Sequence, residues 1–319
     1  MTEMSKPRVG ISTCLLGENV RYDGQHKRDR YLTNTLGPFV EWVPICPEVE
    51  CGLPIPREAM HLTSKDDGLH LIATRSGTDH TKRMQAFIAE RIPKLADAGL
   101  CGFVFKKKSP SSGLHDAKYY TEKGMPHDSG AGLFAGAFVE AYPLIPVEDE
   151  GRLHDAGLRE NFIERLFVMH RWRSQVAPAA AGAAELVAFH TAHKLTLMAH
   201  RPAAVRELGD LVAHQAEHDF DALRQQYLEM LMPALQQKTT RGSNVNVLEH
   251  VMGYFKKDLS ADEKAELLEV IEQYHSGLIP LIVPVTLLRH YVRKYDQDYL
   301  RQQVFLHPFP AELMLRNHV

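Results

Sequence analysis

Between Val9 and about Val147, short runs rich in β-branched and apolar residues recur at intervals: VGIS, WVPI, HLIAT, GFVF and LIPV. Runs of this length bounded by Gly, Pro and polar residues predict strands. They alternate with helix-like stretches. The clearest is TKRMQAFIAERIPKLADAG, which repeats apolar residues at helical spacing and ends in glycine. Strand and helix in alternation predict an α/β domain with a mainly parallel sheet.

From about Asn161 the pattern changes. ENFIERLFVMHRW, AAELVAFHTAHKLTLMAH, DALRQQYLEMLMPALQQK and SADEKAELLEVIEQYHSG are long and helical in period, and alternating strand patterns all but vanish. This half is expected to be all-α. Ser174 to Glu185, SQVAPAAAGAAE, is the expected linker, although its alanines can also begin a helix. The domains are therefore expected at 1–172 and 180–319. There is no internal repeat.

Composition agrees with two globular domains: 319 residues, 44% hydrophobic and 24% charged, provide material for two cores. The N-terminal MTEMSKPRVGIST lacks the apolar segment of a signal peptide, and Gly277 to Leu288 is too short and proline-broken to span a bilayer. A cytoplasmic protein is expected. In that reducing compartment its 4 cysteines are better read as metal ligands, nucleophiles or core thiols than as a disulfide framework.

A net charge of −3 announces no nucleic-acid partner, so any such site must be a local patch. His26-Lys27-Arg28-Asp29-Arg30, Lys106-Lys107-Lys108 and Arg289 to Lys294 are the patches available. Each can equally be a solvated face.

In an open parallel sheet, ligands sit beyond the carboxyl ends of the strands. VGIS then delivers Cys14, WVPI delivers Cys46, Glu48 and Cys51, and GFVF delivers the loop KKKSPSSG, Lys106 to Gly113. Cys101 lies at the opposite end of its strand, on the order of 15 Å away, and reads as a buried structural thiol. Pro47 and Gly52 allow the Cys46–Cys51 loop to be compact. Cys14, Cys46 and Cys51 are thus the candidate metal ligands. A zinc site would need a fourth ligand, with His26 nearest, whereas three cysteines on an iron–sulfur cluster leave one iron open to a soft substrate atom.

Other motifs weigh less. Gly130-Ala131-Gly132 with Gly136 follows no clear strand and reads as close helix packing in preference to a dinucleotide site. A Cys14–His26 nucleophile pair has nothing to position it. His193, His200 and His250 read as packed or capping residues. Glu48 can serve as a helix or turn cap, and Ser109, before Pro110, as a turn residue.

STCLLGENVRYDG, CPEVECGLPIPRE and KSPSSG, in this order over most of residues 7–150, resemble the thiouracil desulfidase family (TudS). FHTAHKLTLMAHRP and TRGSNVNVLEHVMGYFKK look like a YbgA-type domain. The combination is similar to the two-domain RudS desulfidases, which act on 4-thiouridine in tRNA. The resemblance implies a 4Fe-4S cluster on three cysteines with the fourth iron open. Two ligands match Cys14 and Cys46. The third departs, because the family's SPSCG reads SPSSG here, with Ser112 at the ligand position; Cys51 is the expected replacement. By the same resemblance Glu48 activates water, Ser109 acts beside the cluster, and uridine and sulfide are the products.

A tRNA substrate calls for cations on its backbone and a pocket for a displaced base. His26, Lys27, Arg28, Arg30, Lys106, Lys107, Lys108, Ser111 and Ser112 are the expected substrate contacts, and Arg241, Lys256, Lys257, Arg293 and Lys294 an RNA grip on the helical domain. Desulfuration of a free thiobase or thionucleoside, a non-catalytic RNA-binding or sensing protein, and a structural zinc protein are the alternatives.

Overall fold

The computed structural model describes residues 5–217 and 219–318. It divides into two compact units, Met1–Asp155 and Ala156–Val319.

In the first unit, β1 (Arg8–Ser12), β2 (Glu41–Ile45), the one-turn helix α1 (Pro47–Glu50), β3 (Met60–Lys65), β4 (Gly68–Ala73), α2 (Thr81–Lys94), β5 (Leu100–Phe105), β6 (Ala117–Tyr120), β7 (Pro126–Gly130), α3 (Leu133–Ala141) and β8 (Val147–Asp149) follow in chain order. One sheet has the order β2-β1-β5-β8 and is parallel throughout. VGIS, WVPI and GFVF are three of its strands, as the apolar runs predict, while LIPV enters the fourth only at Val147.

The second sheet departs from expectation. Its order is β4-β3-β6-β7, and only the β3–β6 pairing is parallel. HLIAT lies here and not in the parallel sheet. The strands β6 and β7 (AKYY and PHDSG) have few apolar positions, and β7 is largely exposed, so no alternating pattern marked them.

The main core forms where α2 and α3 cover the parallel sheet, from Leu95, Leu100, Phe103, Phe105, Phe134 and Phe138 among others. Phe103 and Phe105 stack with centroids 4.1 Å apart, and Phe138 meets both edge-on or tilted. The ring of Phe103 occupies the space over Gly10 on β1, where a Cβ would come within 2.2 Å of it. Truncating any of these fully buried rings to Ala costs about 3–5 kcal/mol.

The second unit contains α4 (Ala156–Gln175), α5 (Ala183–His200), α6 (Pro202–Ala213), α7 (Phe220–Gln236), α8 (Arg241–Gly253), α9 (Ala261–His275), α10 (Ile282–Lys294) and the short α11 (Asp298–Arg301). Ser, Thr and Asp side chains cap α7, α8 and α9 at Asp219, Thr240 and Ser260. The unit begins at Ala156, upstream of the expected linker. Helix α4 belongs to it, and residues 176–182 merely connect α4 to α5. Composition misled here because a Pro- and Ala-rich helix connection looks like a domain linker. No helix among the described residues is long and apolar enough to cross a membrane.

Candidate active site

Three of the four parallel strands, β1, β2 and β5, hand their chains to the walls of a single cleft of about 440 Å³ at the carboxyl ends of the sheet. After β1 the chain makes a 3-10 turn, Thr13–Leu16, that places Cys14 in the cleft wall. The Cys14 carbonyl accepts the Lys27 backbone N–H at 2.9 Å, which draws Lys27 to the rim. After β2, Cys46 is the N-cap of α1, with Pro47 pre-set for the first helical position. The Cys46 N–H donates to Glu50 Oε1 at 2.9 Å. After β5 come Lys106 to Ser112, all in the wall.

The serine loop is fixed from three sides. Ser109 Oγ accepts the N–H groups of Ser111 (3.3 Å) and Ser112 (3.1 Å), and Gly113 N–H donates to the Ser109 carbonyl at 2.7 Å. The carbonyls of Pro110 and Ser111 in turn accept N–H groups from the first turn of α3, Leu133 at 3.2 Å and Phe134 at 2.9 Å. The approach is so close that a Cβ on Gly132 would meet Ser111 and Pro110 backbone atoms at 2.6–2.7 Å. The glycines before α3 therefore serve close packing, as expected.

Ser111 Oγ donates to Glu48 Oε1 at 2.8 Å and lies 3.1 Å from Ser109 Oγ. Glu48 Oε2 accepts from Arg57 Nε at 2.9 Å and from Arg57 Nη2. Both partners are nearly closed off from solvent, their side chains 6% exposed for Arg57 and 12% for Glu48. A forked guanidinium on a carboxylate restricts orientation as well as adding charge. Glu48 does not act as a helix cap; Glu50 takes that place. Spacing alone assigns no role to Arg57 of the GLPIPRE stretch. Only the fold reveals that its side chain returns to α1.

Burial biases both cleft thiols toward their neutral form. Burial raises the Cys14 pKa to about 11, against the pull of Lys106, with Cys46 raising it further. Burial also raises that of Cys46. Cys14 and Cys46 line the same cleft.

Cys51 is not with them. It is the C-cap of α1, its thiol contacts the Glu48 carbonyl at 3.2 Å, and its side chain packs against the Leu62, Leu71, Met84 and Ala117 core. Among the described residues no three His, Cys, Asp or Glu side chains converge as a metal site. Of the expected set, Cys14 and Cys46 line the cleft together with the buried Ser112, and Cys51 does not. Cys101, 2% exposed in β5, is a core thiol as expected.

The basic residues divide. Lys27 and Lys106–Lys108 line the cleft with Arg21. Lys106 Nζ is committed to an ion pair with Glu150, and Lys107 Nζ lies 3.9 Å from Asp116. Lys108 is exposed and takes a left-handed φ of 60°. His26, Arg28 and Arg30 line a separate depression with Asn34, where Arg28 bonds Thr33 and Asn34. On the helical unit, Arg241, Lys256, Lys257 and Arg293 are exposed, while Lys294 is paired with Glu263 at 2.6 Å. His193 and His200 are packed in the core, bonding the Phe189 and Gln237 carbonyls; His250 is exposed beside Tyr254.

A donor set of two thiols and a hydroxyl at three strand ends suits a soft metal centre but does not supply three thiolates. Residues 9–150 match the 2-thiouracil desulfurase family, and residues 194–310 match a family described as a protein of unknown function (DUF1722). The chain is 29% identical to a solved structure described as the 4Fe-4S-dependent thiouracil desulfidase TudS, covering 47% of this chain and 95% of that one with a TM-score of 0.39. It is 30% identical over 156 residues to the uncharacterized protein YbgA of Escherichia coli (strain K12), covering 48% of this chain and 90% of YbgA. The chain therefore belongs to the YbgA family, and its residues 9–150 match the 2-thiouracil desulfurase family.

Proposed function

We propose that this protein removes the sulfur of 4-thiouridine in tRNA by hydrolysis, so that water and the thiocarbonyl give uridine and sulfide without net oxidation or reduction. One observation supports this above others: Cys14 and Cys46 share a cleft with a carboxylate, Glu48, that Arg57 and Ser111 fix from both sides.

Cys14 and Cys46 are the thiols that would hold an iron–sulfur cluster, which when bound supplies a soft electrophilic site for the substrate's sulfur. Glu48 takes the proton of the water that adds at the ring carbon bearing sulfur. A carboxylate has about four lone-pair directions. Arg57 occupies two on Oε2 and Ser111 one on Oε1, which leaves Oε1 able to accept from that water. Ser109 holds Ser111 in place through its hydroxyl. Lys27 and Arg21 at the cleft mouth, and exposed Lys108, supply positive charge for the phosphates flanking the displaced base. His26, Arg28 and Arg30 extend this face; Arg241, Lys256, Lys257 and Arg293 serve the tRNA backbone from the helical unit, with Lys294 held by Glu263.

The cleft volume also fits a lone thiobase, and this is the second reading. Anaerobic incubation with thiolated tRNA and with free 4-thiouracil, each followed by mass spectrometry, tests both. Conversion of tRNA that is lost when residues 156–319 are removed, in a truncated protein that still converts free base, supports tRNA as the substrate. Unchanged 4-thiouridine beside an intact cluster refutes it.

A further inference from the structure

We infer that the third protein donor at this cleft is the Ser112 hydroxyl, so that a cluster bound here is held by two thiolates and one alkoxide oxygen. The inference rests on the cleft being a cluster site, as proposed above.

The four cysteines leave no other thiol. Cys101 is buried in the second position of β5, far from the carboxyl end. Cys51 is turned into the core, and bringing it to the cleft requires unwinding α1, the element that also positions Cys46 and Glu48. The third strand end offers serines alone, and two of the three hydroxyls are engaged. Ser109 Oγ accepts two backbone N–H groups and meets Ser111 Oγ, and Ser111 Oγ serves Glu48.

Ser112 differs. It is 4% exposed and lines the cleft, yet its hydroxyl bonds no group among the described residues. With no protein partner among those residues and a place in the cleft wall, that hydroxyl is free to meet a ligand there. The loop is also rigid, clamped by the Gly113 N–H on Ser109 and by the first turn of α3 on Pro110 and Ser111. Ser112 is thus held in place before any metal arrives.

On binding, the hydroxyl releases its proton to solvent, as the two thiols do, and no electron moves. Oxygen is a harder donor than thiolate. A cluster with one oxygen ligand is expected to have a more negative reduction potential and to lose iron more readily than its all-thiolate form.

The test is anaerobic reconstitution of the full chain with iron and sulfide, followed by iron and acid-labile sulfide counts, Mössbauer spectra and potentiometry. Wild type and Cys51→Ser should each bind about four irons. Ser112→Ala should retain less than half of that with unchanged circular dichroism, and Ser112→Cys should restore full loading at a higher potential. Iron lost from Cys51→Ser, or fully kept by Ser112→Ala, overturns the assignment. So does an empty cleft in both wild type and Ser112→Cys, which removes the cluster itself. None of these readouts uses substrate. A loaded protein that spares 4-thiouridine therefore refutes the proposed reaction and leaves the ligand assignment standing.

Discussion

Gly132→Ala perturbs the site without touching a reacting group. Gly132 has φ −68° and ψ 162°, a conformation open to any residue, so the backbone imposes no penalty. The new Cβ would lie 2.6 Å from the Ser111 carbonyl carbon and 2.7 Å from the Pro110 and Ser111 oxygens. All three are backbone atoms that no side-chain rotation can clear, so the loop and the start of α3 must part by roughly 0.7 Å to reach ordinary contact. Overpacking of this kind costs about 1–3 kcal/mol. The hydrogen bonds from Leu133 and Phe134 weaken as the loop retreats, at about 1 kcal/mol each if lost. A total of about 2–4 kcal/mol is expected. Because Ser111 and Ser109 move with the loop, kcat should fall about 10- to 100-fold, in line with the cost of misplacing a site by about 1 Å. The chain has 2 tryptophans, Trp42 and Trp172. In a Trp172→Phe background, Trp42 fluorescence during urea unfolding reports on the first unit alone. Gly253→Ala, with open space around its Cβ at a helix end of the second unit, is the control; followed by Trp172 in a Trp42→Phe background, it should be neutral or up to about 1 kcal/mol more stable. A Gly132→Ala protein with wild-type midpoint and kcat would refute the reasoning.

Arg57→Ala strands a nearly enclosed Glu48 carboxylate and should cost about 3 kcal/mol along with most of the activity; Arg57→Lys, with charge but no fork, should recover only part of kcat, and full recovery would show that charge alone suffices. Ser111→Ala should lower kcat about tenfold at unchanged KM in steady-state assays, since Arg57 still holds Glu48; a change confined to KM would make Ser111 a binding residue. The His200–Glu164 pair should lose its stabilising contribution to the helical unit above neutrality. Burial opposes the charge on His200, but its hydrogen bond to Glu164 at 3.0 Å and the carboxylate's charge hold its pKa above the usual imidazole value. Its contribution is complete below about pH 6.5 and fades as pH rises through the raised folded value. Burial likewise opposes the charge on Glu164, which His200, Arg316 and Arg171 hold below the usual carboxylate range, so its share fades as pH falls through the lowered value. His190, His193 and His307 in the same unit are pushed the other way by burial, to about 4, 3 and 4, and oppose the pair below about pH 6.5. The pair therefore shows in the difference between two proteins: by Trp172 fluorescence in a Trp42→Phe background, His200→Gln should lower the urea midpoint more near pH 5.5 than near pH 8.5, and an equal lowering at both would sink this account.

The fold class was legible because apolar runs and helical periods are local signals. VGIS, WVPI and GFVF needed only their composition to be read as strands, and the rule that ligands gather at carboxyl ends then brought Cys14, Cys46 and the serine loop into one cleft. The second sheet was hidden because PHDSG is held by pairing with β6 and not by burial of its own side chains. The unit boundary was hidden for a related reason. Helix α4 buries Glu164 and His170 alongside its apolar residues, so its polar pattern says little about which core it serves. Arg57 could not be assigned from spacing, since the guanidinium reaches Glu48 across a loop of nine residues whose path no period encodes.

Cys51 shows where a spacing argument fails most instructively. It stands five positions after Cys46, and in an extended or loosely folded loop both thiols can reach one metal. The chain between them is instead a full helical turn, started by Pro47 and ended at Gly52, which adopts a left-handed φ of 88°. Cys46, extended at the N-cap, lies in the cleft wall, whereas Cys51 at the C-cap packs its side chain against the Leu62 and Leu71 core. The proline and glycine that made a compact loop feasible are the residues that make it helical, and helicity separates the two sulfurs. Glu48, one turn-fraction along from Cys46, remains on the cleft side. The same short helix thus brings the carboxylate to the site and removes the third thiol from it, which is why the remaining position at the cleft falls to an oxygen donor from the β5 loop.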